Sequence, residues 1–264
     1  MSDRINGWRH QKARRAMERQ LEFQRKKSAA VAGHEPELMQ AMSRSSERVR
    51  SLLETYKPIG PDARVIEVGS GATGLIFFFP GNHRIGIDPL AVHYRTLFPA
   101  WQGRARTVAA FGERLPFAQQ SFDVVLCDNV IDHAEDPLAI VSELVRVLRP
   151  GGVLYFTVNI HHPIYSVVAH AHSTWNAVGI RYEIGPFADH TTHLTLMRAR
   201  QLFAGMPVTM LYERAKISEA KAKANAMRAR HFGDNLKRVF FKNAVYEVVA
   251  RREASSNRIT EFQN

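Results

Sequence analysis

Hydrophobic and polar positions follow two alternating periods along this chain, which predicts helices interleaved with short buried strands. Apolar and β-branched runs predict strands at 65–68, 84–87, 105–110, 121–127, 153–159, 208–213 and 240–250. Helical spacing predicts helices at 8–27, 36–56, 90–98, 138–148, 190–203 and 215–231, with a small-residue linker at 28–33. Strands alternating with helices indicate an α/β fold built on a largely parallel sheet.

The first buried strand leads directly into the glycine-rich turn Gly69-Ser70-Gly71-Ala72-Thr73-Gly74. Because glycine tolerates positive φ and close backbone approach, the turn predicts an open ledge of backbone N–H groups at the carboxyl end of a parallel strand. A nucleotide-like cofactor is expected on this ledge. Asp88 ends the next strand, where a carboxylate can accept hydrogen bonds from both hydroxyls of an adenosine ribose.

Glu67 distinguishes between the two main classes of cofactor. It lies two residues before Gly69, where its carboxylate would repel the pyrophosphate of a dinucleotide. S-Adenosylmethionine carries a sulfonium and an ammonium and has no phosphate, so acids beside the glycine turn suit it. The residues therefore favour S-adenosylmethionine over NAD, and an NAD-dependent oxidoreductase is the lesser alternative.

These residues resemble motif I of the class I S-adenosylmethionine-dependent methyltransferases, hydrophobic-x-Glu-x-Gly-x-Gly-x-x-Gly, with its following acid. The segments E-R-L-P-F at 113–117, S-F-D-V-V at 121–125 and L-R-P-G-G at 148–152 resemble those of the ubiquinone/menaquinone-type small-molecule methyltransferases, methyltransferase type 11. The resemblance covers 64–158 and, more weakly, the C-terminal hairpin. It implies a Rossmann-like fold, a seven-stranded mixed sheet with an antiparallel last strand and helices on both faces.

The resemblance also implies a set of cofactor contacts. Glu67 would support the cationic end, Asp88 would bind the ribose, and Asp128 would lie near the methionine part. At the adenine, Phe111 stands where the family carries an aspartate, so an apolar wall or Glu113 takes that place. The predicted cofactor-binding residues are Glu67, Gly69, Ser70, Gly71, Gly74, Asp88, Phe111, Gly112, Glu113, Asp128 and Asn129.

Methyl transfer by in-line displacement at the sulfonium needs mainly alignment, with a base only where the acceptor carries a proton. The candidate bases are His133, His161 and His162. Six of the twelve histidines fall between His161 and His193, but their spacing lacks an acidic partner, so no metal site is predicted. Cys127 is the only cysteine, which excludes an internal disulfide and a multi-cysteine zinc site.

Charge is distributed unevenly and bears on the methyl acceptor. Residues 1–50 carry a net charge of +6 and residues 198–264 of +8, while the segment between them carries −3. Basic ends suit an anion such as RNA, or they are ordinary solvated helix faces. We expect an oxygen or nitrogen of a small molecule or peptide as the acceptor; the alternatives are an RNA methyltransferase and a non-catalytic regulatory protein that binds the cofactor.

The predicted organisation is an N-terminal helical arm over 1–57 and a methyltransferase domain over 58–264. A cap insertion at about 160–190 follows the fifth strand and is rich in histidine and aromatic residues. Apolar runs are too short to span a membrane, and the basic N-terminus is not an ordinary signal peptide, so a cytoplasmic protein is expected. The sequence leaves the oligomeric state open.

Overall fold

A computed structural model of the protein describes residues 18–31, 33–131, 134, 136–164, 194–226, 241 and 243–254. The chain divides into two compact units, Met1–Gly112 and Glu113–Asn264. The predicted division into an arm and a domain stays a prediction. Most of the predicted cap lies outside the described residues, because only its first few positions are among them.

The first unit is built on three parallel strands, β1 (Arg64–Val68), β2 (His83–Ile87) and β3 (Arg106–Val108). Helical segments surround them: residues 18–31, α1 (Glu35–Glu54), α2 (Ala91–Leu97) and α3 (Pro99–Gln102). After the glycine turn the chain forms only a 3-10 turn, Leu75–Phe77, whose three side chains are buried. Pro80 follows shortly afterwards and cannot continue a helix, so the first crossover remains short.

The predicted linker at 28–33 is wrong for residues 28–31, which continue the helical segment. Tertiary contacts override the small-residue composition here. The Ser28 hydroxyl donates to the carbonyl of Leu97 at 2.7 Å, and the side chain of Val31 is buried. The turn to α1 comes at Gly33, which adopts a φ of 94°. Residues 8–17 of the predicted helix lie outside the described residues.

The second unit pairs β4 (Phe122–Asp128) in parallel with β5 (Leu148–Ile160). The last strand, β7 (Ala244–Arg252), lies between β5 and β6 (Val208–Ala215) and runs antiparallel to both. The helices of the second unit are α4 (Pro137–Val147), α5 (Leu196–Gln201) and α6 (Ile217–Ala226). The strand β5 begins earlier than predicted, because Leu148 already pairs with Phe122.

The sheet has seven strands in the order β3-β2-β1-β4-β5-β7-β6. This order, with β7 antiparallel to its neighbours, confirms the predicted mixed sheet and its antiparallel last strand. In such a sheet, parallel strands place their carboxyl ends at one edge, which is where ligands bind in α/β folds. No helix in the described part of the chain is both long enough and apolar enough to cross a bilayer.

Side chains satisfy backbone groups at both ends of α4, from the adjacent residue at its start and from a distant strand at its end. At its start the Asp136 carboxylate accepts hydrogen bonds from the backbone N–H groups of Leu138 and Ala139, with Pro137 at the first helical position. At its end the guanidinium of Arg252, the last residue of β7, donates to the carbonyls of Val145 and Arg146 at 2.9 and 3.0 Å. A cation at a helix C-terminus also interacts favourably with the helix dipole.

The second unit also contains a buried polar cluster that joins β5, β7 and Lys216, the residue before α6. Glu247 is 1% exposed, and its carboxylate accepts a hydrogen bond from the Tyr155 hydroxyl at 2.8 Å. The Lys216 ammonium lies 2.8 Å from the other carboxylate oxygen. Since an unpaired buried charge is costly, these two donors are what allows an acid inside the sheet.

Candidate functional site

The glycine turn after β1 has the conformation that its sequence predicts. Gly69 and Gly71 adopt φ values of 74° and 54°, and the N–H groups of Gly69 and Ser70 donate to the Ile87 carbonyl at 2.7 and 2.9 Å. A Cβ placed on Gly71 would meet no atom within 4 Å. The backbone of Gly71 therefore borders open space, which is the property that a ledge for a ligand requires.

Glu67 lies beneath this turn rather than on its surface. It is 2% exposed, and its two carboxylate oxygens accept hydrogen bonds from the N–H groups of Leu75 and Ile76 at 3.2 and 2.8 Å. A Cβ on Gly74 would lie 2.5 Å from the Oε2 atom of Glu67. The carboxylate thus holds the end of the turn against the 3-10 segment, a structural role that the sequence did not indicate.

Asp88, at the end of β2, is tied to the same turn. Its Oδ2 accepts from the N–H of Gly71 at 3.1 Å and its Oδ1 from the N–H of Leu90 at 2.8 Å, and the Tyr94 hydroxyl also bonds to it. Burial raises the pKa of Asp88, and the three hydrogen bonds oppose that rise. An ionised carboxylate has about four acceptor positions, so these donors leave room for about one more.

Two buried polar atoms of the turn region have no hydrogen-bond partner in the described part of the chain. They are the Oγ of Ser70 and the Oε1 of Gln102, whose Nε2 donates to the Ala72 carbonyl at 3.0 Å. A Cβ on Gly86 would lie 2.7 Å from the Ser70 hydroxyl, so glycine in β2 leaves space for that side chain. Buried polar atoms normally find partners, and the surplus at this turn is what a polar ligand could satisfy.

Lys27 is a residue of this region that the sequence did not reveal. It belongs to the helical segment 18–31, and its ammonium donates to the Thr73 hydroxyl of the glycine turn at 3.4 Å. A signal was present, because Leu21, Gln24, Ser28 and Val31 share one face of that helix with Lys27. All of these side chains are buried or half-buried, whereas the other described faces of the segment are exposed.

In the second unit, polar side chains meet where β4 and β5 end. The Thr157 hydroxyl donates to the Asp128 carboxylate, and the Asn129 N–H bonds to the same hydroxyl at 3.0 Å. Asn129 adopts a φ of 57°, and its side-chain oxygen accepts from the Asn159 amide at 2.6 Å. Asp128 and Asn129 were predicted, whereas Thr157 and Asn159 were not, although they are the polar positions in the otherwise apolar segment 156–160.

The segment that follows Glu113 is fixed by an ion pair on α4. Glu143 accepts from the N–H of Leu115 at 2.7 Å and pairs with Arg146, whose guanidinium donates to the Phe117 carbonyl at 2.8 Å. Glu113 itself is half-buried. At the end of the first unit Phe111 is 52% exposed and Gly112 half-buried, so the Phe111 ring offers an apolar surface.

Comparison with known proteins shows which family the glycine turn and the neighbouring strands resemble. Residues 66–156 match the model of a family described as a methyltransferase domain. This part of the chain is therefore similar to a methyltransferase domain. An uncharacterized methyltransferase of Mycobacterium sp. (strain JLS) is 42% identical over 100 residues, which are 36% of this chain and 38% of that protein. The chain spans about two fifths of the length of the curated relatives it matches.

Solved structures extend the likeness to most of the fold. A putative sarcosine dimethylglycine methyltransferase from Galdieria sulphuraria superposes with a TM-score of 0.55 at 16% identity, covering 80% of this chain and 86% of that one. Geranyl diphosphate C-methyltransferase from Streptomyces coelicolor, in complex with S-adenosyl-L-homocysteine, gives 0.56 at 13% identity, covering 78% of each chain. The fold is therefore that of the class I methyltransferases, and the family resemblance is confirmed.

Two of the three histidines predicted as bases come directly after β5, beyond the matched residues 66–156. His161 is buried, and its backbone N–H donates to the Leu194 carbonyl at 2.8 Å. His162 is half-buried, with its ring edge-on to Phe241 at 5.5 Å and its Nδ1 accepting from the Ile164 N–H at 3.3 Å. His133 lies outside the described residues. Burial leaves His161 poorly accessible to a substrate, so His162 is the better placed of the two.

No group of three or more histidine, cysteine or acidic side chains within the described ranges could hold a metal ion. Cys127 is buried within β4. A thiol in that position packs as a small apolar side chain. Among the predicted site residues, the described titratable side chains are Glu67 and Asp88 at the glycine turn, Glu113, Asp128 at the end of β4, and His161 and His162 after β5.

Proposed function

We propose that the protein is an S-adenosylmethionine-dependent methyltransferase acting on an oxygen or nitrogen of a small molecule or peptide. The observation that carries this proposal is the glycine turn itself. Its backbone faces open space at Gly71, it is held from below by Glu67, and it is tied to Asp88 at the neighbouring strand end. The family match covers the same turn and the same strand ends.

The residues of the turn fit this cofactor better than a dinucleotide. Two carboxylates, that of the buried Glu67 and that of the half-buried Asp88, contact the backbone of residues 71–76, so the local field favours a cation over a pyrophosphate. Ser70 and Gln102 contribute buried polar atoms that still lack partners in the described part of the chain. When bound, the cofactor supplies an electrophilic methyl group on its sulfonium.

The roles of the binding residues follow from their surroundings. Asp88 has about one free acceptor position, so it is assigned one ribose hydroxyl rather than both. Phe111 is assigned an apolar contact with the adenine, together with Gly112 and Glu113. Glu67 acts through the shape and charge of the turn, and Gly69, Gly71 and Gly74 set its backbone path. Asp128 and Asn129, fixed by Thr157 and Asn159, are assigned to the methionine half.

The protein's part in the reaction is chiefly alignment, because an in-line displacement at a methyl group needs little acid–base help. An acceptor that carries a proton needs a base within hydrogen-bond reach, and His162 is assigned this role ahead of His161 and His133. Neighbours in fold bear names of enzymes acting on small molecules, such as sarcosine or geranyl diphosphate. This supports a small acceptor through likeness of fold alone.

The first test is calorimetric titration of the purified protein with S-adenosylmethionine, S-adenosylhomocysteine and NADH. The proposal expects binding of the first two and none of the third. Incubation of cell extract with isotopically labelled methyl donor, followed by mass spectrometry, then identifies the labelled product. Binding of NADH without binding of either sulfur compound would overturn the proposal.

A second candidate is an RNA methyltransferase, which the net charges of +6 over residues 1–50 and +8 over residues 198–264 favour. Phosphate contacts release counterions, so RNA binding would weaken steeply with salt. A titration of RNA affinity against salt concentration separates this candidate from a small-molecule enzyme. Tight cofactor binding without transfer to any acceptor would instead favour a non-catalytic, regulatory protein.

A further inference from the structure

The helical segment 18–31 is anchored to the first unit along one face. Leu21 packs against the buried cluster that contains Tyr94, Phe98 and Trp101. Ser28, the residue after Lys27, donates a hydrogen bond from its hydroxyl to the Leu97 carbonyl at 2.7 Å. The position of Lys27 is therefore set by packing on both sides of it, and its ammonium reaches the glycine turn at Thr73.

Lys27 differs from the lysine beside it in what balances its charge. Lys26 is largely exposed and pairs with Glu22 one turn away at 2.8 Å. Lys27 is half-buried, and among the described residues its ammonium contacts a neutral hydroxyl and pairs with no carboxylate. Burial alone lowers the pKa of Lys27. A partly desolvated cation without a countercharge is unfavourable, so its presence at this turn calls for an anionic partner.

S-Adenosylmethionine carries one anionic group, the α-carboxylate of its methionine half. We propose that the ammonium of Lys27, positioned beside Thr73, binds this carboxylate and fixes the methionine end of the cofactor. The inference rests on the proposed function, because it takes the glycine turn as the cofactor site. It adds a binding residue outside the matched region 66–156 and gives the helical segment 18–31 a part in the site.

The acids and the lysine then divide the two kinds of charge on the cofactor. The carboxylates of Glu67 and Asp88 accept hydrogen bonds from the backbone of the turn before and after Thr73, and their negative charge favours the cationic groups. The Lys27 ammonium uses one of its three donors on the Thr73 hydroxyl, which leaves two for the carboxylate. A charge-assisted hydrogen bond of this kind is stronger than one between neutral groups. S-Adenosylmethionine and its product S-adenosylhomocysteine both carry this carboxylate, so Lys27 should bind and orient the two molecules equally.

The test compares two ligands that differ in the amino-acid portion. S-Adenosylhomocysteine has the α-carboxylate, whereas 5′-methylthioadenosine lacks the whole amino-acid group. Calorimetry is performed on the wild-type protein and on Lys27→Met, Lys27→Arg and Lys26→Met. Lys27→Met should lower the affinity for S-adenosylhomocysteine about 10- to 100-fold, the range expected for a hydrogen bond between charged groups. Its affinity for methylthioadenosine should change less than about twofold.

The controls separate binding from folding. Lys26→Met removes the same charge from an exposed position of the same helix and should leave both affinities unchanged. Lys27→Arg keeps the charge and should retain most of the affinity for S-adenosylhomocysteine. Thermal unfolding of Lys27→Met should match or exceed that of the wild type, since the substitution removes a partly buried charge.

Two results would overturn the assignment of Lys27 alone. One is unchanged affinity of Lys27→Met for S-adenosylhomocysteine, and the other is an equal loss for both ligands. Failure of the wild-type protein to bind either S-adenosylmethionine or S-adenosylhomocysteine would overturn the proposed function and the role of Lys27 together. The wild-type titration therefore distinguishes the two kinds of failure.

Discussion

The carboxylate of Glu67 lies so close to Gly74 that a Cβ on the glycine would come within 2.5 Å of its Oε2 atom. Gly74→Ala should therefore displace the carboxylate from the N–H groups of Leu75 and Ile76, destabilising the fold by about 1–3 kcal/mol as overpacking usually does. Urea unfolding measures the change. Gly60→Ala is the matched control, because a Cβ there would meet no atom within 4 Å. Equal stability of the two variants would contradict the prediction.

Asp88→Ala should weaken binding of S-adenosylhomocysteine at least about tenfold, because it removes both the ribose acceptor and the restraint on Gly71. The structure adds an effect on folding. The N–H groups of Gly71 and Leu90 lose their acceptor, so stability should also fall by about 1–3 kcal/mol. Titration calorimetry and urea unfolding report the two effects separately. A variant with full affinity would remove Asp88 from the cofactor site.

Stability should fall in acid through Glu143. The hydrogen bond from Arg146 lowers the pKa of Glu143, so its folded-state value lies below the unfolded value of about 4.5. A depressed acidic pKa contributes stability that is fully present above the unfolded value and is lost as pH falls through the folded value. Urea unfolding at pH 7 and at successively lower pH should show this loss.

The comparison for Glu143 uses two glutamine variants. Glu143→Gln should lower stability at neutral pH by about 1–3 kcal/mol and flatten its decline in acid. Glu37→Gln, which removes an exposed carboxylate from α1, should follow the wild-type curve. An unchanged acid decline in Glu143→Gln would show that other groups are responsible.

Lys216→Met should destabilise the protein through Glu247, which it leaves charged inside the sheet. Removing one partner of a buried ion pair typically costs about 3–5 kcal/mol. The Lys216 side chain is 29% exposed, so a loss at the low end of that range is expected. Lys221→Met on α6 is the control. Adding Glu247→Gln to Lys216→Met should recover part of the loss, and a further loss instead would contradict this account.

Much of the first unit was predictable because its signals are local. The residues of β1, the glycine turn and Asp88 all lie within 64–88, so the residue types in this short segment indicate the local backbone conformation. The structure places them as expected, with positive φ at Gly69 and Gly71. The short apolar crossover was predictable too, since Pro80 closes it whatever the tertiary surroundings.

What the sequence did not reveal depends on partners far along the chain. Lys27 meets Thr73 across 46 residues, and Ser28 meets Leu97 across 69, so composition alone indicated a linker at 28–33. Thr157 became part of a polar cluster through its register with Asp128. The position and charge of Glu67 could be read from the sequence, but the direction of its carboxylate, toward the N–H groups of Leu75 and Ile76, depends on the fold.

The hydrogen bonds from Arg252 join the end of β7 to the end of α4, which lies more than a hundred residues earlier in the sequence. During translation, α4 and β5 leave the ribosome long before β7 exists, so the helix end stays uncapped and one edge of β5 stays unpaired. The nascent chain would then need protection from edge-to-edge association until its final strand arrives. The pairing of β5 with β7 and the capping of α4 by Arg252 both depend on this one late-synthesised strand.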